Sequence, residues 1–204
     1  MDDHTLTETR LSLHGVAESV IAGPQYRAHG TIRLRVTPGG FGGVKLGLRV
    51  AGTDLVWDGG SASLTGTLGA LAEVAGVELG TAGIYHDSPN LPADHVLAVD
   101  AAAAALLADA FARGEAAMGA FAPDETPVLW PEHFDLGIAL DEINYGLSPG
   151  DATHPRPYAY VGPWTAPAQG GFWNAPFGAL RPLDELPDAD AVASFFAEGR
   201  DAAR

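Results

Sequence analysis

The chain contains 204 residues, carries a formal net charge of −15 at pH 7 and has no cysteine. A chain of this length forms one domain, or one domain built from two subdomains, and buries roughly 70% of its unfolded surface. The absence of cysteine excludes disulfides, zinc fingers, iron–sulfur ligation and thiol nucleophiles. The acidic balance excludes nucleic acid and anionic membranes as favoured partners, because a negatively charged surface repels both.

The sequence gives no sign of export or membrane insertion. The first residues are acidic and lack an apolar core, so no secretory signal is predicted. No segment approaches the ~18 apolar residues that a membrane span requires. We therefore expect a soluble, cytoplasmic protein with no membrane partner.

The N-terminal half predicts a helix followed by a meander of short strands. Apolar residues at helical spacing indicate a helix over 11–23, which Gly23 and Pro24 are expected to end. Strict alternation over 31–37 predicts a half-buried strand. The glycine-rich segment 38–43 is interpreted as a connecting loop, with a lid over a site as the alternative. Further strands are expected at 46–50 and 55–57, in an antiparallel arrangement, followed by a short helix over 68–77.

The strongest predicted helix covers 101–120, with Asp100 as its N-cap. Its buried stripe is expected to contain Leu107, Phe111, Gly114, Met118 and Phe121. Beyond it, alternation over 133–141 predicts a strand, the segment 148–151 a type II turn, and 158–161 the returning strand. A last helix follows Asp188 or Asp190 and buries Val192, Phe195 and Phe196.

These elements predict an α+β fold with an N-terminal antiparallel sheet, a central long helix and a β-rich C-terminal half that ends in a helix. The predicted domains are 1–122, an α/β subdomain that ends in the long helix, and 123–204, a β-rich subdomain rich in proline and aromatic residues. We expect the two to form one compact domain.

The densest collection of polar and aromatic residues lies between 130 and 174. His133 and Asp135, at positions i and i+2 of the predicted strand, would project from one face roughly 6.5–7 Å apart. A hairpin across the 148–151 turn would bring Asp151 and His154 to the same edge. Two imidazoles and neighbouring carboxylates suit proton transfer, or a divalent ion such as Fe, Mn or Zn as cofactor. The catalytic and metal candidates are therefore His133, Asp135 and His154, and a purely structural role is the alternative.

The same segment predicts a small-molecule site. The residues expected to shape it are Asn144, Tyr145, Asp151, Trp164, Trp173 and Asn174. His133 would be the general base, since histidine titrates near neutrality without help. A hydrolase, isomerase or cyclase fits this pattern. The alternative is a non-catalytic module that binds a ligand or forms a homodimer through its aromatic loops.

Three arginines form a separate feature. Arg33, Arg35 and Arg49 occupy exposed positions of the predicted strands in an otherwise acidic chain. They could hold an anionic ligand. Pairing with surrounding carboxylates is the interpretation that we favour from the sequence.

Several segments of the chain resemble a family of uncharacterised soluble proteins common in high-GC Gram-positive bacteria. They span nearly the whole chain and are specific when taken together. The segments are Ala22-Gly-Pro-Gln-Tyr, Thr31-Ile-Arg-Leu-Arg-Val-Thr-Pro-Gly-Gly-Phe-Gly, Leu129-Trp-Pro-Glu-His-Phe-Asp, Asn144-Tyr-Gly-Leu-Ser-Pro-Gly-Asp, Tyr160-Val-Gly-Pro-Trp and Phe172-Trp-Asn-Ala-Pro-Phe-Gly-Ala. The resemblance implies membership only. It carries no activity and transfers no catalytic residues.

Overall fold

A computed structural model describes residues 2–81, 83 and 88–204. The helices are α1 (Asp3–Gly15), a π-helical segment (Val16–Ala22), α2 (Gly23–His29), α3 (Leu68–Ala75), α4 (Ala101–Phe121) and α5 (Ala189–Ala202). The strands are β1 (Leu34–Thr37), β2 (Gly40–Gly43), β3 (Arg49–Ala51), β4 (Asp54–Trp57), β5 (Gly60–Ser63), β6 (Val128–Trp130), β7 (Asp135–Leu140), β8 (Ile143–Ser148), β9 (Tyr158–Pro163) and β10 (Ala179–Pro182). All strand pairs described below are antiparallel, so the predicted α+β class is confirmed. Among the described helices, none has both the length and the low polarity needed to cross a membrane.

The chain forms two compact units. The N-terminal unit comprises residues 1–109 and 129–134, and the C-terminal unit comprises 110–128 and 135–204. The long helix α4 thus contributes its first part to one unit and its remainder to the other. These bounds differ from the predicted division at residue 122, which remains an interpretation of the sequence.

The N-terminal helix continues past the point where Gly23 and Pro24 were expected to end it. Between α1 and α2 the backbone widens into the π-helical segment, all seven residues of which are buried. A proline inside an α-helix lacks an N–H and clashes with the carbonyl four residues earlier, and a wider turn before it relieves that clash. Pro24 then lies in the first turn of α2, where proline is tolerated. The prediction of a stop was therefore wrong.

The sheet of the N-terminal unit has the strand order β6-β1-β2-β3-β4-β5. Its glycine-rich strand β2 lies where a loop was expected. A Cβ atom on Gly42 would lie 2.7 Å from the Cβ of Arg49, so the strands pack closely because a side chain is absent. One face of this sheet is buried and carries Leu34, Phe41, Val50, Leu55 and Leu129.

The C-terminal unit contains a four-stranded sheet in the order β10-β9-β8-β7. Strand β8 was not predicted. The turn that joins it to β7 contains Asp141 and Glu142 at φ +52° and +64°, as a tight hairpin requires. Helix α5 and the later part of α4 cover one face of the sheet, where Gly199 approaches Val161 and Gly114 approaches Leu147. That face is buried and apolar, and the opposite face carries the candidate site.

Candidate functional site

The face of the C-terminal sheet opposite α4 and α5 carries the side chains with the richest chemistry. Strand register places Gly137 opposite Gly146, and Gly146 opposite Tyr160. Residues directly opposite in antiparallel strands point to the same face, and so do residues two apart along each strand. This face therefore presents Asp135, Gly137, Ala139, Asn144, Gly146, Ser148, Tyr158, Tyr160 and Gly162.

Two tyrosines and two aspartates form what we call the tyrosine–aspartate cluster (Asp135, Asp151, Tyr158 and Tyr160). The hydroxyl of Tyr158 donates to Oδ2 of Asp151 over 2.6 Å. The hydroxyl of Tyr160 donates to Oδ2 of Asp135. The two tyrosine rings lie 6.5 Å apart, and the ring of His154 meets that of Tyr158 edge-on at 5.6 Å. The backbone N–H of Asp151 also donates to the carbonyl of His154 over 2.7 Å.

The cluster keeps its tyrosines protonated. Burial raises the pKa of the Tyr158 hydroxyl, and the hydrogen bond to the Asp151 carboxylate raises it further. Burial raises the pKa of Tyr160 well above its ordinary value, and the charge of Asp135 acts in the same direction. Both hydroxyls therefore act as neutral hydrogen-bond donors at neutral pH.

Asp151 binds the backbone of its own loop, residues 149–157. Its Oδ1 accepts hydrogen bonds from the backbone N–H groups of Thr153 at 2.6 Å and of His154 at 2.8 Å. Burial raises the pKa of Asp151, but the hydrogen bonds from Tyr158 and from these backbone groups outweigh burial, and the net shift is downward. The carboxylate is thus held in its charged form and stabilises the loop.

This shift predicts a pH-dependent contribution to stability. Because the pKa of Asp151 is lower in the folded protein than in the unfolded chain, its contribution is present above about pH 4 and is lost as the pH falls through the folded value. We expect Asp151→Asn to reduce the free energy of unfolding at pH 7 by about 1–2 kcal/mol and to flatten its decline below pH 4. Urea unfolding of both proteins at several pH values from about 2.5 to about 7 measures this difference. If the free energy of unfolding fell equally steeply below about pH 4 in the two proteins, the prediction would be contradicted.

Beside the cluster lies an open strip formed by Ala139, Asn144 and Gly162. Trp164 borders the strip and is 65% exposed, yet its indole Nε1–H donates to Oδ1 of Asn144 over 3.2 Å. Phe177, 42% exposed, meets the ring of Tyr160 edge-on at 6.2 Å. The amide nitrogen of Asn144 has no hydrogen-bond partner among the described residues. The strip therefore combines small residues, two exposed rings and a free amide donor.

Two of the predicted ligand contacts have structural roles instead. The side-chain amide of Asn174 donates to the carbonyl of Leu180 over 3.0 Å and accepts from its N–H over 2.9 Å, so it pairs with the edge strand β10. Trp173 packs edge-on against Phe172 at 5.0 Å. Its backbone exchanges hydrogen bonds with Gly170, closing a tight turn of the 164–178 loop.

Tyr145 lies on the opposite, helix-covered face. Its side chain is fully buried and packs against Phe121 at 4.8 Å and Phe196 at 5.8 Å. It occupies this side because it alternates with Asn144 and Gly146 along β8. The assignment of Tyr145 to the ligand site is corrected accordingly: it is a core residue.

The strand argument for His133 and Asp135 also fails. Strand β7 begins at Asp135, whereas His133 belongs to the preceding turn and Phe134 has φ +53°. The period-2 rule therefore does not apply to this pair. The imidazole of His133 is 63% exposed and lies 3.6 Å from the carboxylate of Glu132.

The predicted divalent-metal site receives no support. Within the described part of the chain, no group of three histidine, aspartate or glutamate residues is placed to hold a metal ion. Of the three predicted ligands, Asp135 and His154 lie on the sheet face and its adjoining loop, and His133 belongs to the N-terminal unit.

Sequence reasoning did not assign the two tyrosines to the site. The signal that could have identified them is the pairing of Tyr160 with Gly146 of β8, because a ring lies flat on a sheet where the residue opposite it is glycine. That pairing is visible only once β8 is recognised as a strand. Comparison with protein-family models, with curated proteins and with solved structures finds no match to this chain.

Proposed function

We propose that this protein binds a small, ring-shaped organic molecule over the open strip of its C-terminal sheet. The observation that carries the proposal is Trp164, a large apolar ring that is mostly exposed and is nevertheless held in place by Asn144. Single exposed apolar residues are common on protein surfaces. A ring fixed beside small residues and a second exposed ring is preorganised for stacking.

The strip also defines the chemistry of the ligand. The flat face of a ring would stack on Trp164 or Phe177, both of which are exposed, beside the exposed Ala139. An oxygen acceptor on the ligand, such as a hydroxyl or amide carbonyl, would receive the free N–H of Asn144. A monosaccharide or an aromatic amide meets both requirements.

Binding, rather than acid–base catalysis, is the function that the hydrogen bonds favour. Asp151 accepts bonds from two backbone amides and from Tyr158, so its oxygens are occupied by its own loop. Asp135 accepts from Tyr160. A general base must be free to accept a proton from the substrate. His154 contacts the cluster through the edge of its ring, and its role would be to shape the polar end of the site.

The indole N–H signal of Trp164 provides a direct test. The chain has four tryptophans and hence four indole N–H resonances, and Trp164→Phe identifies the relevant one. We expect titration with a panel of monosaccharides and a panel of aromatic amides, including nicotinamide, to shift this resonance most. Asn144→Ala should lower the affinity for the compound that shifts this signal by about tenfold, as the loss of one hydrogen bond does. It should leave the free energy of unfolding within about 0.5 kcal/mol of wild type.

Val74→Ala is the matched control, because Val74 is 63% exposed and lies in the N-terminal unit. It should leave both the shift and the affinity unchanged. If no compound moves the Trp164 signal, the proposal fails. A shift that appears on raising the protein concentration without ligand would instead support the homodimerising alternative.

A further inference from the structure

The exposed face of the N-terminal sheet carries a row of positive charges. Register places Arg35 opposite Gly42, and Gly42 opposite Arg49, so the two arginines lie on one face on either side of a glycine. Arg33, two residues before Arg35, lies over the ring of Trp130 at 5.8 Å. We call Arg33, Arg35 and Arg49 the arginine row.

The arginine row carries no ion pair among the residues that the structure describes. No ion pair joins these three arginines to a carboxylate of any residue in the described part of the chain. Arginines elsewhere do pair: Arg27 lies 3.5 Å from Glu78, and Arg181 lies 3.2 Å from Glu198. The sequence interpretation that the three arginines pair with surrounding carboxylates is therefore not met within the described residues. In a chain of net charge −15, an unpaired row is the exception.

The surroundings of the row favour an approaching anion. Gly42 presents no side chain between the two arginines, and a Cβ there would collide with Arg49 and with the carbonyl of Leu48. Among the strand residues of this face, Asp54 is the carboxylate. It accepts a hydrogen bond from Ser63 over 2.9 Å and pairs with Ala51, two residues beyond Arg49. The charge of the row is thus unopposed over the glycine.

We propose that the arginine row is a binding site for a small molecule that carries a phosphate group. Arginine forks bind phosphate and carboxylate oxygens through paired hydrogen bonds. A carboxylate offers two oxygens and is satisfied by one fork, whereas a phosphate offers three and carries a larger charge. Two arginines on one face, on either side of Gly42, therefore suit a phosphate, and Arg33 provides a contact for a second phosphate.

The charge of the rest of the chain restricts the ligand to a small molecule. At physiological ionic strength the acidic surface is screened beyond about 8 Å, so a compact anion feels mainly the arginines. A polyanion such as nucleic acid would extend over acidic surface and be repelled. This site lies in the N-terminal unit and is independent of the proposed function of the C-terminal sheet.

Calorimetric titration with inorganic phosphate and with pyrophosphate tests the assignment. We expect pyrophosphate to bind more tightly than phosphate, with an affinity that falls as sodium chloride is added. Arg35→Gln and Arg49→Gln should each lower the affinity for pyrophosphate by at least about tenfold. The double variant should show no binding heat. All three side chains project from a sheet surface, so circular dichroism should show unchanged folding.

Arg204→Gln is the control, because it removes one exposed positive charge of the C-terminal unit, which lies 3.6 Å from Asp201. It should leave pyrophosphate affinity at the wild-type value. Equal loss in this variant would mean that net charge alone governs binding and would overturn the proposal. Absence of pyrophosphate heat in the wild type would overturn it too, as would binding of a hexaglutamate peptide in its place.

Discussion

Replacing His14 by alanine is expected to destabilise the protein by about 3–5 kcal/mol, as removal of one partner of a buried ion pair does. The side chain of Glu18 is fully buried in the π-helical segment, and neither of its oxygens has a hydrogen-bond partner among the described residues. The imidazole of His14 lies beside it, with Nε2 at 3.4 Å from Oε1. Without that imidazole, the carboxylate is left uncompensated in an apolar core.

The imidazole of His14 is itself held in one orientation. Its Nε2–H donates to the carbonyl of Pro131 over 2.7 Å, and the ring stacks on Phe134 at 5.2 Å with an interplanar angle of 13°. Phe134 in turn meets Phe41 edge-on at 5.2 Å. Loss of His14 therefore removes packing as well as charge.

Chemical denaturation separates these two contributions. Glu18→Gln removes the charge, so His14→Ala should cost less in the Glu18→Gln background than in the wild type. His29→Ala, at the exposed end of α2, serves as the control and should cost less than about 1 kcal/mol. If His14→Ala were no more harmful than His29→Ala, Glu18 would not depend on this pairing.

The helices α3, α4 and α5 could be predicted from the sequence because their start or stop residues are local. Asp100 accepts from the backbone N–H of Ala102 at 3.0 Å and of Ala103 at 2.9 Å, as an N-cap does. Asp188 caps α5 in the same way. Gly76 ends α3 in the left-handed conformation at φ +70°. Each of these features needs only a few neighbouring residues.

The glycine-rich strands could not be predicted in this way. Strands β2 and β5 contain residues of low strand propensity, and their pairing is decided by the strands that flank them. On Gly40, a Cβ would lie 2.6 Å from the carbonyl of Val50. The glycine is thus needed for close approach between strands, which a single sequence reads as a loop.

The candidate site lies in the segment that the sequence singled out and includes Asn144, Asp151 and Trp164, but the expected pairing of His133 with Asp135 is absent. Strand β7 begins at Asp135, two residues later than predicted, so His133 lies outside it. The cause is Phe134, whose positive φ is rare for a bulky residue and is maintained by its burial between His14 and Phe41. Such a conformation depends on tertiary contacts and leaves no local pattern.

Replacing Gly146 by alanine should disable the candidate site and destabilise the protein by about 3 kcal/mol. Tyr160 lies flat across Gly146, and a Cβ there would stand 2.1 Å from Cζ of the tyrosine and 2.3 Å from its hydroxyl oxygen. The ring must move, because the glycine is part of a central strand that is paired on both sides. Its movement breaks the hydrogen bond to Asp135 and shifts Phe177, which rests against the same ring.

Two further variants show whether the tyrosine is responsible. In a Tyr160→Ala background the obstructing ring is gone, so adding Gly146→Ala should cost less than about 1 kcal/mol. Gly119→Ala, on the exposed side of α4 where a Cβ meets nothing within 4 Å, should be neutral or stabilising by up to about 1 kcal/mol. An equal cost of Gly146→Ala with and without Tyr160 would show that strain in β8 itself, and not the position of the tyrosine, makes this glycine necessary. If Gly146→Ala is costly only in the protein that retains Tyr160, the position of the tyrosine ring depends on the absence of a side chain at Gly146.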